Sequence, residues 1–577
     1  MVVANLGPCS TKSLSQLRTS LDATLLRGVR VDKVLTGFGH AFQTNIGEEV
    51  HYRCSETVNR FSDFISHDWD SGRWQKTLAL WFIYNCQAAL LISSAVAILL
   101  MVLQLDAVAL LPKPEPVPRA RNGATYHLTV GIWSGRVCPF VFVIIFVFWQ
   151  RIRALLGFGS PLVFVDKFCI DQVDNGRKAQ GILGLAAFLA SADRLVICWT
   201  PRYFTRLWCA YEVAAWLHLR RKLSSIQFVP LAQVMAYVIA WMMLCLNTGL
   251  YTLAKYAFPK FYAMQLSHII IIFGNLSITG PPIVHILRQV ARSVQMLSPQ
   301  IRNFSVEKAE CFCCTHKHVH PATGDHIKCD RKLIYRTLES WFGNGEDPML
   351  MGPQDSTNVS LTHGVAEFDR HVQELLGPLL LRKGEITSTS YLHALCFGCP
   401  VLWTAADLLA GWGSGPHHVV LLLAWESAAT SFFVMPVSWR VMVHTLSFAQ
   451  KFGPRSTSKF MGIVITMLIF FSYVLSLCLL FVPLTFFGVR YAHPAPAIIW
   501  NCLLAAVTVL VYSAGFGSCC GTLALRRSSR TSSQGRRSRA SSEGEAVVRS
   551  STERSRNTER SRNTDRSRNT DRGSSMI

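Results

Sequence analysis

Acid is scarce beside base in this sequence: 35 aspartates and glutamates stand against 57 lysines and arginines, and only 16% of its 577 residues are charged. The resulting net charge of +22 excludes a surface of balanced charge. Lys and Arg clusters beside a membrane account for it best, because positive residues collect on the cytosolic flanks of spans and anionic lipid holds them there. A nucleic-acid partner is the weaker reading. The first sixty residues also lack an apolar core followed by a cleavage site, which reads as no cleaved signal peptide. Cysteine is not scarce, at 18 residues. These thiols are spread through apolar runs and segments assigned to the cytosol, which points to free thiols and metal ligands rather than disulfides.

What is present is a bimodal chain, 50% hydrophobic, in which long apolar runs alternate with charged stretches. The runs at 78–105, 128–150, 231–253, 261–287, 395–412, 419–437, 460–487 and 497–516 each approach or exceed the about 20 residues a helical span needs. The pattern predicts an α-helical polytopic membrane protein of about eight spans. Basic residues flank alternate connections (Arg151 and Arg153; Arg220, Arg221 and Lys222; Arg288 and Arg292; Arg440, Lys451, Arg455 and Lys459), which sets both termini in the cytosol. The opposite loops are short, leaving no room for an extracellular domain, and Pro112 to Pro118 reads as a polyproline spacer in the first of them. Residues 1–59 read as a cytosolic N-terminal segment.

Around the first hairpin, periodicity changes to that of an α/β segment. Phe61 to Trp69 has the alternation of a short buried strand, and Pro161 to Cys169 is apolar enough for a central parallel strand. A helical run, Ile182 to Ala192, then a strand, Arg194 to Thr200, a helix, Leu207 to Leu219, and a strand, Ser224 to Leu231, complete it. Strand–helix alternation predicts a small parallel sheet covered by helices, split between 60–77 and 157–232.

Its motifs make the segment nameable. Phe64-Ile65-Ser66-His67, Val163 to Lys167 followed by Ile170-Asp171-Gln172, and Trp208-Cys209-Ala210-Tyr211-Glu212 after Thr205-Arg206 resemble, in that order, the boxes of a Toll/interleukin-1 receptor (TIR) homology domain. The whole pattern, spans included, is also similar to multi-pass proteins of dinoflagellate algae. The resemblance implies a flavodoxin-like fold and a module that associates with itself or with protein partners. It departs from the family in two ways: a transmembrane hairpin separates the first two strands, and no fifth strand or terminal Phe-Trp box follows the fourth. Some family members cleave the nicotinamide–ribose bond of NAD, and the resemblance places Glu212 at the catalytic glutamate. Such a carboxylate would stabilise the oxocarbenium-like charge, and Asp68, Trp69, Asp166 and Asp171 would line the cleft at the strand ends.

Between 288 and 393 lies a cysteine- and histidine-rich segment. Cys311, Cys314, His326 and Cys329 form two ligand pairs of equal spacing around a turn containing Pro321 and Gly324, suited to a closed, structural Zn²⁺ site. Cys313 and the remaining histidines compete as ligands, and a reduced or acylated thiol cluster is the alternative. Asp330 to Phe342 reads as an amphipathic helix.

Asp407 and Glu426 lie inside apolar runs, where a carboxylate costs a few kcal/mol or more and must pair, protonate or face a wet cavity. An ion path through spans 5–8 would use them, making the chain a channel or transporter; an acid hydrogen-bonded within the bundle is the plainer reading. Gly280-Pro281-Pro282 predicts a kink. From 519 onward the chain collapses to an Arg/Ser-rich tail with the repeats Thr552 to Asn557, Thr558 to Asn563 and Thr564 to Asn569, predicted disordered. Its arginines suit anionic lipid headgroups, Ser528, Ser538 and Ser555 suit basophilic kinases, and Cys519 and Cys520 suit palmitoylation. Arginine–serine repeats also bind RNA, but tethering beside a membrane weighs against that partner.

Overall fold

A computed structural model describes residues 21–44, 47–121, 124–219, 223–257, 267–319, 324, 326, 328–343, 363–376, 378, 391–413, 417–452, 459–490 and 498–513. Residues 1–508 form one unit and 509–577 a second, of which 509–513 are described. The tail's repeats, with Cys519, Cys520, Ser528, Ser538 and Ser555, lie outside the described residues.

Among the described residues, five helices are long and apolar enough to cross a membrane: Arg73–Gln104, Trp133–Leu155, Leu231–Leu253, Val420–Leu446 and Met461–Leu480. Two shorter apolar helices, Gly398–Leu409 and Ile498–Ser513, fall on the fifth and eighth expected spans. The expected fourth span is instead part of one 29-residue helix, Ser267–Gln295, which runs unbroken through Pro281 and Pro282. Gly280 is needed there for closeness, since a Cβ on it would stand 2.2 Å from Cε2 of Phe470. Of the eight runs predicted as spans, five therefore meet the required length and apolarity among the described residues. The Asp106–His127 loop also holds more than a polyproline spacer, because its second half pairs into a hairpin.

Among the described residues there are eight strands: β1 (Arg27–Arg30), β2 (Ser55–Thr57), β3 (Phe61–His67), β4 (Val117–Arg121), β5 (Ala124–Leu128), β6 (Leu162–Phe164), β7 (Ala192–Trp199) and β8 (Ile226–Pro230). β4 and β5 make the loop hairpin; the others form a six-stranded mixed sheet in the order β2-β1-β6-β3-β7-β8. From β6 to β8 all neighbours are parallel, and β1 and β2 extend the β6 edge in antiparallel fashion. The N-terminal segment thus supplies two strands to the sheet. β6 is shorter than the run Pro161 to Cys169 suggested, because Asp166–Cys169 closes a helical turn.

β3 is central because its side chains suit burial on both faces: Phe64 stacks on Phe164 at 4.3 Å, and Phe164 meets Phe188 at 4.6 Å. The sheet grows directly out of the apolar helices. Five residues separate β3 from helix Arg73–Gln104, and β8 ends at Pro230 where helix Leu231–Ala257 begins at the next residue. The first two apolar helices pack as a hairpin tied by buried amides: Asn85 Nδ2 donates to the Phe146 carbonyl at 2.7 Å, and Gln150 Nε2 donates to Asn85 Oδ1 at 2.9 Å.

Candidate functional site

Chain order and spatial order part company at β3. The chain leaves β3 for β6 on one side and returns to β7 on the other, so the C-terminal ends of β3 and β7 flank the point where the winding reverses. In doubly wound sheets that is where a crevice opens. Ser66 sits near the end of β3, opposite Ile197 of β7; Tyr203 follows β7, and Glu212 projects from helix Leu207–His218. These three meet. The Ser66 hydroxyl donates to Glu212 Oε2, and Ser66 Oγ lies 2.5 Å from the Tyr203 hydroxyl.

Burial pushes the Glu212 carboxyl up to about 8; the Ser66 hydrogen bond pulls the other way, and nearby Asp166 adds to the rise. At neutral pH this side chain therefore carries its proton. Burial also holds the Tyr203 hydroxyl and the Cys209 thiol well above their usual ranges, and pushes His67 down to about 4. Glu212, Tyr203, Cys209 and His67 are thus uncharged at neutral pH. A stability consequence follows from linkage. The folded state keeps the Glu212 proton while the unfolded chain loses it near the ordinary value of 4.5, so folding stability falls as pH rises from there to about 8 and is flat above. Glu212→Gln is expected to remove this slope, its advantage in thermal stability over the parent growing through that window in a pH series of melting curves.

Three of the four expected cleft residues gather at the same strand ends. Trp69 Nε1 donates to Asp166 Oδ2 at 2.5 Å, while buried Asp68 accepts from the Asp70 N–H at 3.2 Å and stands 3.8 Å from Arg206 Nε. Asp171 is elsewhere engaged: its Oδ1 accepts from the N–H groups of Val173 and Asp174, both at 3.0 Å, building a turn rather than lining the crevice. Lys167, in the second motif, donates Nζ to the carbonyls of Ala41 at 2.6 Å and Thr44 at 2.8 Å and so pins the N-terminal segment.

Sequence reasoning missed Asp63, a wholly buried acid in β3. It takes a two-pronged bond from Arg194 of β7 (Nε 2.6 Å, Nη2 3.0 Å) and a third from the Tyr84 hydroxyl of the first apolar helix at 2.7 Å. An acid inside one buried strand and an arginine near the start of another, Arg194, were the available signal.

The outer side of helix Leu207–His218 is covered by the cysteine- and histidine-rich segment. Leu207 N–H donates to the Glu310 carbonyl at 3.1 Å, and Glu310 N–H to that of Thr205 at 2.6 Å. Trp208 Nε1 donates to Asp330 Oδ2 at 3.2 Å, and Trp341 stacks near Tyr211 at 5.7 Å and His218 at 4.4 Å. Within that segment, donor atoms of Cys313, Cys314, His318 and Cys329 all lie within 4.8 Å of one another and could hold a metal ion. Cys314 and Cys329 were expected. His318 takes the place assigned to His326 and Cys313 that assigned to Cys311, because Lys317 and His318 adopt φ of 53° and 60° and curl the chain back onto the cysteines. Cys311 belongs to a second cluster with Cys313 and Asp330, and His326 is exposed, pairing its backbone with Val319.

Asp407 is buried and bonded within the bundle. Its Oδ1 accepts from the N–H of Ser134 at 2.9 Å and its Oδ2 from that of Gly135 at 2.8 Å. Gln104 Oε1 accepts from the Ile132 N–H at 3.1 Å. Side chains of two other helices therefore cap helix Trp133–Leu155, whose first N–H groups have no partner within the helix. Glu426 is half-buried, and its carbonyl accepts from the Thr430 hydroxyl at 2.7 Å. No family model, no curated protein and no solved structure matches this chain.

Proposed function

We propose that the chain is a multi-pass membrane signalling or interaction protein that presents a TIR-like, flavodoxin-like α/β domain to the cytosol, where it assembles with copies of itself or with protein partners. The observation that carries this reading is the parallel run β6-β3-β7-β8, the winding of a flavodoxin-like sheet, grafted on apolar helices with almost no linker. The motifs that prompted the resemblance fall on β3, on β6 with its turn, and on the Glu212 helix. Basic Arg151 and Arg153 at the end of the second apolar helix favour the cytosolic face for the sheet.

NAD cleavage at Glu212 is the second reading, favoured by the position of this carboxyl at the winding reversal. Two features count against it. An oxocarbenium ion needs an anionic partner, whereas burial keeps Glu212 protonated at neutral pH. Glu212 is half-buried, and Ser66 and Tyr203, which occupy its carboxyl, are sealed, with 1% and 0% exposure. Transport through the last spans has lost one of its two acids, since Asp407 is committed to backbone donors.

The test uses the purified full-length chain in lipid nanodiscs. Incubated with NAD, it is expected to release no more nicotinamide than Glu212→Ala does, at pH 7 and at pH 9. Fluorophore-labelled copies in proteoliposomes are expected to show energy transfer that persists on dilution with lipid. Release that Glu212→Ala abolishes would install the enzyme reading instead. Absence of energy transfer would reject self-assembly.

A further inference from the structure

Tetrahedral zinc imposes its own ruler. With Zn–S near 2.3 Å and Zn–N near 2.0 Å, two thiolates on one ion stand about 3.8 Å apart and a thiolate and an imidazole nitrogen about 3.5 Å apart. Cys314 and Cys329 sulfurs are 3.8 Å apart, Cys313 and Cys314 sulfurs 3.9 Å, and Cys314 Sγ to His318 Nε2 3.8 Å. Cys311 fails the same test. Its sulfur is 3.1 Å from that of Cys313, too close for two thiolates sharing an ion and too far for the roughly 2.05 Å of a disulfide.

We propose that Cys313, Cys314, His318 and Cys329 bind one Zn²⁺ in a closed structural site that clasps the segment onto the Glu212 helix. Three sulfurs and one imidazole fill four positions, which leaves none for substrate and marks the site as structural. The outer groups fit. The Asp330 N–H donates to Cys313 Sγ at 3.3 Å, a bond that stabilises a thiolate. The Asp330 carboxylate then takes the Trp208 indole of the Glu212 helix at 3.2 Å. The left-handed backbone at Lys317 and His318 is costly for residues with a Cβ, and its effect is to return the imidazole to the three sulfurs. The His318 N–H donating to the Cys313 carbonyl at 2.7 Å fixes that return. The assignment stands whether or not the TIR-like reading does, because it concerns only what holds this segment in place.

Metal content of the full-length protein, purified in detergent without a polyhistidine tag or chelator, tests it. About one zinc per chain is expected by elemental analysis, as a site closed by four protein ligands requires. Co²⁺ exchanged into the site should give the intense visible bands and sulfur charge-transfer absorption of a tetrahedral thiolate complex. Loss of an outer-shell partner alone lowers metal affinity by about 10–100-fold, so Cys314→Ser and His318→Ala should lose more than that. Cys311→Ser and His326→Ala should retain zinc. His318→Cys should keep the metal and strengthen the charge-transfer band, which separates lost ligation from lost folding. Protein without zinc that gives only the weak spectrum of octahedral Co²⁺ would overturn the proposal. So would retention of metal by His318→Ala together with its loss from His326→Ala.

Discussion

Asp407→Ala is expected to lower the stability of the whole bundle by about 2–6 kcal/mol, read as a large fall in thermal midpoint in nanodiscs. The value follows from two orphaned donors at about 1–3 kcal/mol each. The Ser134 and Gly135 N–H groups begin helix Trp133–Leu155 and have no partner within it, and Asp407 supplies both acceptors. Ser134 is fully buried, so water does not readily replace the acceptor of its N–H. Asp407→Asn keeps one acceptor oxygen and should lose about half as much. Gly131 shares the arrangement, since a Cβ there would stand 2.8 Å from Gln104 Oε1 and 2.9 Å from Ala410 Cβ. Gly131→Val should therefore displace the same cap. An ion path predicts the opposite signature: Asp407→Asn would alter flux in proteoliposomes and leave the melting curve in place.

The second large effect concerns Asp63. Asp63→Ala should cost about 2–4 kcal/mol, because a buried carboxylate serving three donors disappears at once. Its partners recover unequally. Arg194 keeps 48% of its side chain exposed and can turn to water, whereas the Tyr84 hydroxyl, in the first apolar helix, has lost its acceptor. Asp63 is also what keeps the Arg194 guanidinium above its ordinary pKa. Adding Arg194→Met to Asp63→Ala should recover part of the loss, and a double-mutant cycle of denaturation midpoints measures how much. Strict additivity would show that the two side chains do not interact. Tyr84→Phe in the parent should cost far less, about 1 kcal/mol, since one donor leaves and Asp63 retains Arg194.

The parts of this arrangement that were legible in the sequence are those written in runs. β7 and β8 are mostly apolar because parallel strands are buried on both faces, β3 shows the alternation of a short buried strand, and their ends were found to within a few residues. β1 and β2 were not found. Arg27–Arg30 and Ser55–Thr57 hold their place by backbone pairing at an edge, which leaves almost no mark on side-chain type. The strand expected through Cys169 stops at Phe164 because Lys167 turns toward the Ala41 and Thr44 carbonyls, a contact across more than a hundred residues of chain. Asp407 was visible as an acid in an apolar run, but its partners are backbone groups, and backbone has no sequence signature. At the cysteines, equal spacing favoured His326, whereas two left-handed residues bring His318 to the sulfurs. Glu212 was located by resemblance; its enclosure by Ser66 and Tyr203 depends on where β3 and β7 end in space.

The placement of β3 sets a timetable for synthesis. It is the middle strand of the parallel run, yet residues 68–161, including two apolar helices, must be made before β6 exists to pair with it. At about 5–20 residues per second, that interval lasts on the order of 5–20 s, during which Phe61, Phe64 and Ile65 have no sheet to enter. The nascent chain therefore carries a naked core strand while both apolar helices are made, and the sheet can close only after them.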